Sequence, residues 1–216
     1  MVQSESPPEF DAAFRARLKD LLEWRRDVRR FRPERPPAGT LERLLGLAAL
    51  APSVGLSEPW RFVIVDDPER RQAIRDNYRT CNAEALSAFE GERARNYAEL
   101  KLAGIEEAPL QLAVFADRST AQGHGLGRRS MPEMIEYSAV LAVHTLWLVA
   151  RAEGIGLGWV SILDPRLVAG ILAVPGDWRF IAYLCVGYPE DEERRPELER
   201  LGWERRHTPA DCILWR

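Results

Sequence analysis

Lysine is almost missing from this 216-residue chain: of its 30 lysine and arginine residues, only Lys19 and Lys101 are lysines. Positive charge therefore sits on guanidinium groups, which are planar, permanently protonated and suited to bidentate anion contacts. An excess of positive charge is missing too. The formal net charge is -3 and the isoelectric point is near 5.8, which argues against a general nucleic-acid binder, since that needs a basic face. Cysteine is scarce: Cys81, Cys185 and Cys212 are an odd number at wide spacing. They form neither a zinc pattern nor a disulfide framework, and a reducing cytoplasm is the expected location. His124, His144 and His207 lie far apart without ligand spacing, so no metal site is expected. The longest apolar stretch, Tyr137 to Ala150, is interrupted by His144 and followed closely by Arg151 and Glu153. It is too short to span a bilayer, and no membrane partner is expected. MVQSESPPEF at the start has neither a basic n-region nor an apolar h-region, so no secretory leader is expected. Dinucleotide, phosphate-loop and zinc-protease signatures are absent. GHGLG at 123–127 resembles a phosphate cradle only superficially, because it lacks a strand-to-helix context.

What is present fits one domain over 1–216, with 46% hydrophobic residues to fill a core. Phe14, Leu18, Leu21 and Leu22 mark one face of a helix expected over 11–29. FRPERPP then forces a loop, and Thr40 is the expected N-cap of a helix that stops at Pro52. WRFVIVDD and LQLAVFAD read as strands, separated by a polar helical stretch with a break at Gly91. A helix from Pro132 to Glu153 is closed by Gly154. GLGWVSI, PRLVAGILA and RFIAYLCVGY read as strand, helix and strand, and the tail from Pro196 has little periodicity. Short apolar strands alternating with helices give an α/β or α+β fold. The helix over 132–153 is apolar around its whole circumference, so a partner subunit is expected to cover one face.

Four stretches can carry chemistry: RRDVR at 25–29, APSVGLSEPW at 51–60, GLGWVSI at 156–162 and GWERR at 202–206. Arginines at i, i+1 and i+4 near a helix end can hold a phosphate. APSVG offers backbone N–H groups and a hydroxyl, and the glycines of GLGWVSI permit close backbone approach beside a tryptophan. Together they suit a flat heteroaromatic ring bearing a phosphate. The plainer alternative is a solvated arginine surface with ordinary glycine turns.

RRDVRRF, APSVGLSEPW, LWLVARAEGIGLGWVS and YLCVGYP, in this order, resemble the nitroreductase-like FMN superfamily. Asp27 stands where most members carry serine. With FEGERARNYAELKLAGIEEAPL and PELERLGWERR, it makes the chain similar to the 5,6-dimethylbenzimidazole synthase subfamily. The resemblance implies an α+β fold with a central mixed sheet flanked by helices, a long buried interface helix, and a homodimer binding FMN between its subunits. It puts Arg25, Arg26, Val28, Arg29 and Arg206 near the phosphate and ribityl chain. Ser53, Trp159, Val160 and Ser161 would face the flavin. About 88–105 would form a lid with Leu102 touching the ring, 196–216 a C-terminal arm, and 1–10 a flexible start. Glu58 replaces the family's usual glutamine and can only accept hydrogen bonds when ionised.

The reaction so implied is oxygen-dependent fragmentation of reduced FMN to 5,6-dimethylbenzimidazole, the lower ligand of cobalamin, with release of erythrose 4-phosphate. The ribityl C1′ becomes a ring carbon, which calls for a base beside it. Asp27 is the expected base, kept ionised by neighbouring arginines, with Ser161 relaying a proton and the Gly55 N–H donating to the reacting oxygen. A separate flavin reductase would supply reduced FMN. The alternatives are an NAD(P)H-dependent nitroreductase with bound FMN, and a non-enzymatic flavin carrier.

Overall fold

The computed structural model describes residues 6–216; positions 1–5 of the start expected to be flexible lie outside the described residues. Four strands, β1 (Trp60–Ile64), β2 (Leu110–Asp117), β3 (Gly156–Val160) and β4 (Trp178–Gly187), form one sheet in the order β1-β2-β4-β3. All three pairings are antiparallel. The expected mixed sheet is thus antiparallel over its four strands, and its parallel component is a single bridge from Asp27 to Leu157 of β3.

β2 is buried along its whole length, and the period of two sends alternate residues into two layers. Leu110, Leu112 and Val114 pack with Leu44 of α2 (Thr40–Ala48) and Val143 and Leu146 of α5 (Met134–Ala152). Ala113 and Phe115 face α3 (Pro68–Ser87) and α6 (Pro165–Leu172) through Ile74, Val168 and Leu172. Gln111 also lies on this second face. Its Oε1 accepts from the Tyr183 hydroxyl at 2.6 Å, and its Nε2 donates to the Ile105 carbonyl at 2.9 Å. A buried amide so satisfied costs little and fixes the loop after α4 (Gly91–Glu99) to the sheet.

Three expectations on the elements are corrected. α1 covers Ala12–Trp24, not 11–29, because Arg25 turns extended and the next residues dock on β3. Thr40 is the first residue of α2; the cap position belongs to Gly39, left-handed at φ +82°. α5 starts at Met134, two residues after Pro132, and its closing Gly154 is left-handed as expected. The tail holds only α7 (Glu197–Arg200) and a short 3-10 turn. Among the described residues no helix is long and apolar enough to cross a membrane.

The close approach expected at GLGWV occurs, and the neighbour is this chain's own backbone. A Cβ on Gly158 would collide with the Val28 carbonyl oxygen, and one on Gly156 with the Val28 side chain. Gly158→Ala is therefore expected to cost about 1–3 kcal/mol of stability, the scale of overpacking against a rigid neighbour. Gly170→Ala, in open space within α6, should be neutral or stabilising. Thermal unfolding of the two variants compares them directly, and equal melting temperatures would refute the contact.

Candidate functional site

The segment 25–29 runs along the outside of β3, an edge strand of the sheet. An edge strand has unpaired backbone donors and acceptors, and this segment answers them. The Val28 N–H donates to the Leu157 carbonyl at 3.1 Å, and the Trp159 N–H donates to Asp27 Oδ1 at 2.8 Å. From the other side, Trp147 Nε1 of α5 donates to the Arg26 carbonyl at 3.0 Å. Asp27 thus stands in for a missing strand partner. Its second oxygen, Oδ2, accepts from Arg29 Nε at 3.0 Å.

Burial raises the Asp27 pKa above the ordinary aspartate value, and the Trp159 N–H, Arg29 and Arg25 only partly offset it. The arginines favour the charged form as expected, and burial is the larger influence. Desolvation wins because one arginine touches the carboxylate, while the segment as a whole is pressed against the sheet.

The arginines divide into two sets. Arg29 and Arg30 have carboxylate partners: Arg29 has Asp27, and Arg30 Nη1 lies 2.5 Å from Glu197 Oε1. Arg25 and Arg26 form no ion pair among the described residues. The Arg25 guanidinium lies over the Trp147 ring, 4.7 Å from its centroid, and Arg26 Nε is buried without a hydrogen-bond partner. The pKa values of both are lowered, first by burial and then by neighbouring guanidiniums: Arg206 acts on both, Arg25 also on Arg26. Three like charges with an unmet donor form a site that an anion would relieve. Arg25, Arg26, Asp27, Val28, Arg29 and Arg206 all line one cleft of about 190 Å³, closed on its far side by residues 191–200. The arginines occupy extended backbone, so the helical spacing expected for them does not apply.

The other predicted residues divide by place. Leu102 is half-buried, next to Lys101, whose carbonyl accepts from Arg29 Nη1 at 3.1 Å. Trp159 is half-buried beside Asp27, Val160 points into the core, and Ser161 is exposed just beyond the strand. Ser53 and Gly55 lie elsewhere. The Ser53 Oγ accepts from the Glu58 N–H at 3.1 Å, and Gly55 is left-handed at φ +56°. Their turn is anchored by the Val54 N–H, which donates to Ser138 Oγ at 3.0 Å near the start of α5. Trp147, which holds Arg26, lies nine residues further along that helix, or about 14 Å at a rise of 1.5 Å per residue. Ser53 and Gly55 line no part of the arginine cleft. One chain holds the two groups of residues apart. Glu58 Oε2 accepts from Gln122 Nε2 at 3.1 Å, so the carboxylate is held by an amide in the neighbouring loop.

Trp147 and Glu197 were not legible as site residues. The first sits in the apolar run of α5 and the second in a charged tail, and only the fold brings them to the arginines.

The sequence pattern of the nitroreductase family matches residues 22–188. A 5,6-dimethylbenzimidazole synthase of Rhodospirillum rubrum is 57% identical over 92% of this chain and 94% of its own. One from Rhodobacter capsulatus is 50% identical over 90% and 94%. Among solved structures, an iodotyrosine deiodinase bound to FMN and 3-iodo-L-tyrosine superposes with a TM-score of 0.66 at 30% identity, covering 82% of this chain and 91% of that one. Order of motifs, fold and near full-length identity agree: the chain belongs to the nitroreductase family, and within it groups with the 5,6-dimethylbenzimidazole synthases.

Proposed function

We propose that the arginine cleft binds the phosphate end of FMN and that the chain, paired with a second copy, converts reduced FMN and O₂ to 5,6-dimethylbenzimidazole. The observation that carries this is a carboxylate, Asp27, held by the Trp159 N–H and Arg29 Nε in the lining of a cleft rich in arginine. The cleft fits the group: Arg26 Nε is a buried donor without a partner, and Arg25, Arg26 and Arg206 repel one another until an anion arrives. When bound, reduced FMN supplies the electrons that react with O₂ and the carbons of the benzimidazole, the rest of its sugar leaving as erythrose 4-phosphate.

This chain's own residues then do the following. Arg25, Arg26 and Arg206 hold the phosphate, which sets the reach from the ribityl chain to Asp27, and such positioning can lower a barrier by several kcal/mol. Asp27 takes the proton. Its raised pKa makes it a stronger base than an ordinary aspartate. Trp159 and Arg29 hold one oxygen each, fixing the carboxylate plane. Leu102 and the segment over 88–105 exclude water. Ser161, and Ser53 and Gly55 from the second copy, complete the walls, with Ser161 relaying a proton and the Gly55 N–H donating to the reacting oxygen. A separate reductase delivers reduced FMN.

The second copy is supported by the separation of the half-sites along α5 and by exposed apolar faces. α1 has no buried residue, although Phe14, Leu18 and Leu22 form a stripe along it. Tyr137, Val140 and Leu141 of α5 are exposed on one side. A 13-residue helix with nothing buried is marginal by itself.

Sedimentation is expected to give a dimer; a stable monomer that binds FMN with full affinity would refute the shared site. Asp27→Asn should leave FMN affinity equal or slightly higher and lower benzimidazole formation by about a hundredfold or more, the scale of a lost general base. Arg26→Ala should instead weaken FMN binding by about tenfold or more, the scale of a hydrogen bond to a charged group. With saturating reduced FMN, wild-type turnover should fall as pH drops through the raised Asp27 pKa, above the ordinary aspartate range, because protonation removes the base. Asp27→Asn turning over at the wild-type rate once saturated would reduce Asp27 to a structural clamp.

A further inference from the structure

Arg29 is the arginine of the cluster with least freedom. Its side chain is 11% exposed, and two of its nitrogens, Nε and Nη1, contact three separate parts of the chain. Nε donates to Asp27 Oδ2 at 3.0 Å, and Nη1 donates to the Lys101 carbonyl at 3.1 Å. Glu197 Oε2 of α7 lies 3.8 Å from that same Nη1.

Lys101 is the point that matters. It follows α4 and precedes Leu102, in the segment proposed to cover the flavin. Further along, this segment is anchored to the sheet through the Ile105 carbonyl and Gln111. Its earlier part is held by Tyr97, whose hydroxyl donates to Asn82 Oδ1 at 2.8 Å. Between those anchors, Arg29 supplies the bond to the 101 backbone. The same guanidinium sets the direction of one carboxylate oxygen of Asp27. Arg29 is thus already matched to a carboxylate and a carbonyl, whereas Arg25 and Arg26 form no ion pair among the described residues and stay free to meet an anion.

We propose that Arg29 is a positioning residue that ties the seating of residues 100–102 to the orientation of the Asp27 carboxylate, so that the carboxylate is aligned when that segment is in place. This rests on the reading of Asp27 as the base. The tie needs a group with two rigidly spaced donors. A lysine carries the charge but reaches Asp27 or the Lys101 carbonyl, not both in this geometry.

Amide hydrogen exchange over 97–103, followed by mass spectrometry on the full chain, tests the tie, with inorganic phosphate titrated in parallel. Arg29→Gln and Arg29→Lys should both exchange about tenfold faster there, the scale of losing a charged hydrogen bond, while phosphate affinity stays within about threefold of wild type, since Arg25 and Arg26 supply its charge-assisted contacts. Asp27→Asn provides the second arm. An asparagine offers one acceptor oxygen to two donors, the Trp159 N–H and Arg29 Nε, that the carboxylate satisfies together, so the hold on Arg29 weakens and exchange over 97–103 should rise although Asp27 makes no hydrogen bond to that segment. With saturating reduced FMN, Arg29→Lys should lower kcat more than it raises KM. Protection restored in Arg29→Lys would overturn the tie in favour of simple charge. Unchanged exchange together with a tenfold loss of phosphate affinity would make Arg29 a phosphate ligand. Faster exchange with no benzimidazole from any variant, wild type included, would leave the tie standing and remove the proposed reaction.

Discussion

Everything at the candidate site depends on how residues 25–29 lie against the edge of β3. The contact is a backbone fit before it is an electrostatic one. Gly156 and Gly158 leave room for Val28, the Val28 N–H takes the Leu157 carbonyl, and a carboxylate oxygen takes the Trp159 N–H that would otherwise face out unpaired. The strand edge is thereby blunted, and Arg25, Arg26 and Arg29 are delivered along it. An extended backbone alternates its side chains, which is why neighbouring arginines here reach different partners.

That difference in partners organises the electrostatics. Arg29 and Arg30 are spent on Asp27 and Glu197, so they shape the cleft without adding much free charge to it. Arg25 and Arg26, with Arg206 from the tail, keep their charge unbalanced, and burial makes the imbalance costly. A carboxylate among arginines need not compete with an anion when it is matched to one of them and the anion to the others. Burial then decides its proton affinity, pushing it up while the matched arginine holds it in place.

Much of this was legible in the sequence, and the parts that were not share a cause. The short apolar run LQLAVFAD and the long apolar run between Pro132 and Gly154 are local signals, and both elements appear close to their expected bounds. The motifs around Asp27 and Ser53 were legible as motifs because each is a short run. The end of α1 was not, since what stops the helix at Trp24 is a strand more than a hundred residues later. The net direction of the Asp27 pKa was not legible for the same reason: its arginine neighbours are visible in RRDVR, whereas the sheet that desolvates it is not. Trp147 and Glu197 carry no spacing signal at all, and only the packing of α5 and α7 reveals them. The membership of the family, by contrast, rested on the order of several weak motifs and survived these local errors.

The distance along α5 between the Ser53 turn and the arginine cleft also bears on genetics. A lesion at Gly55 leaves the docking of Arg26 untouched, and a lesion at Arg26 leaves the Ser53 turn untouched, because their anchors, Ser138 and Trp147, are separate. If sites are assembled across two copies, chains carrying these different lesions complement each other when expressed together. In a mixed pair one site collects both defects while the other collects none. Such interallelic rescue belongs to proteins whose working unit is divided between chains, and a cleft complete within one subunit does not produce it.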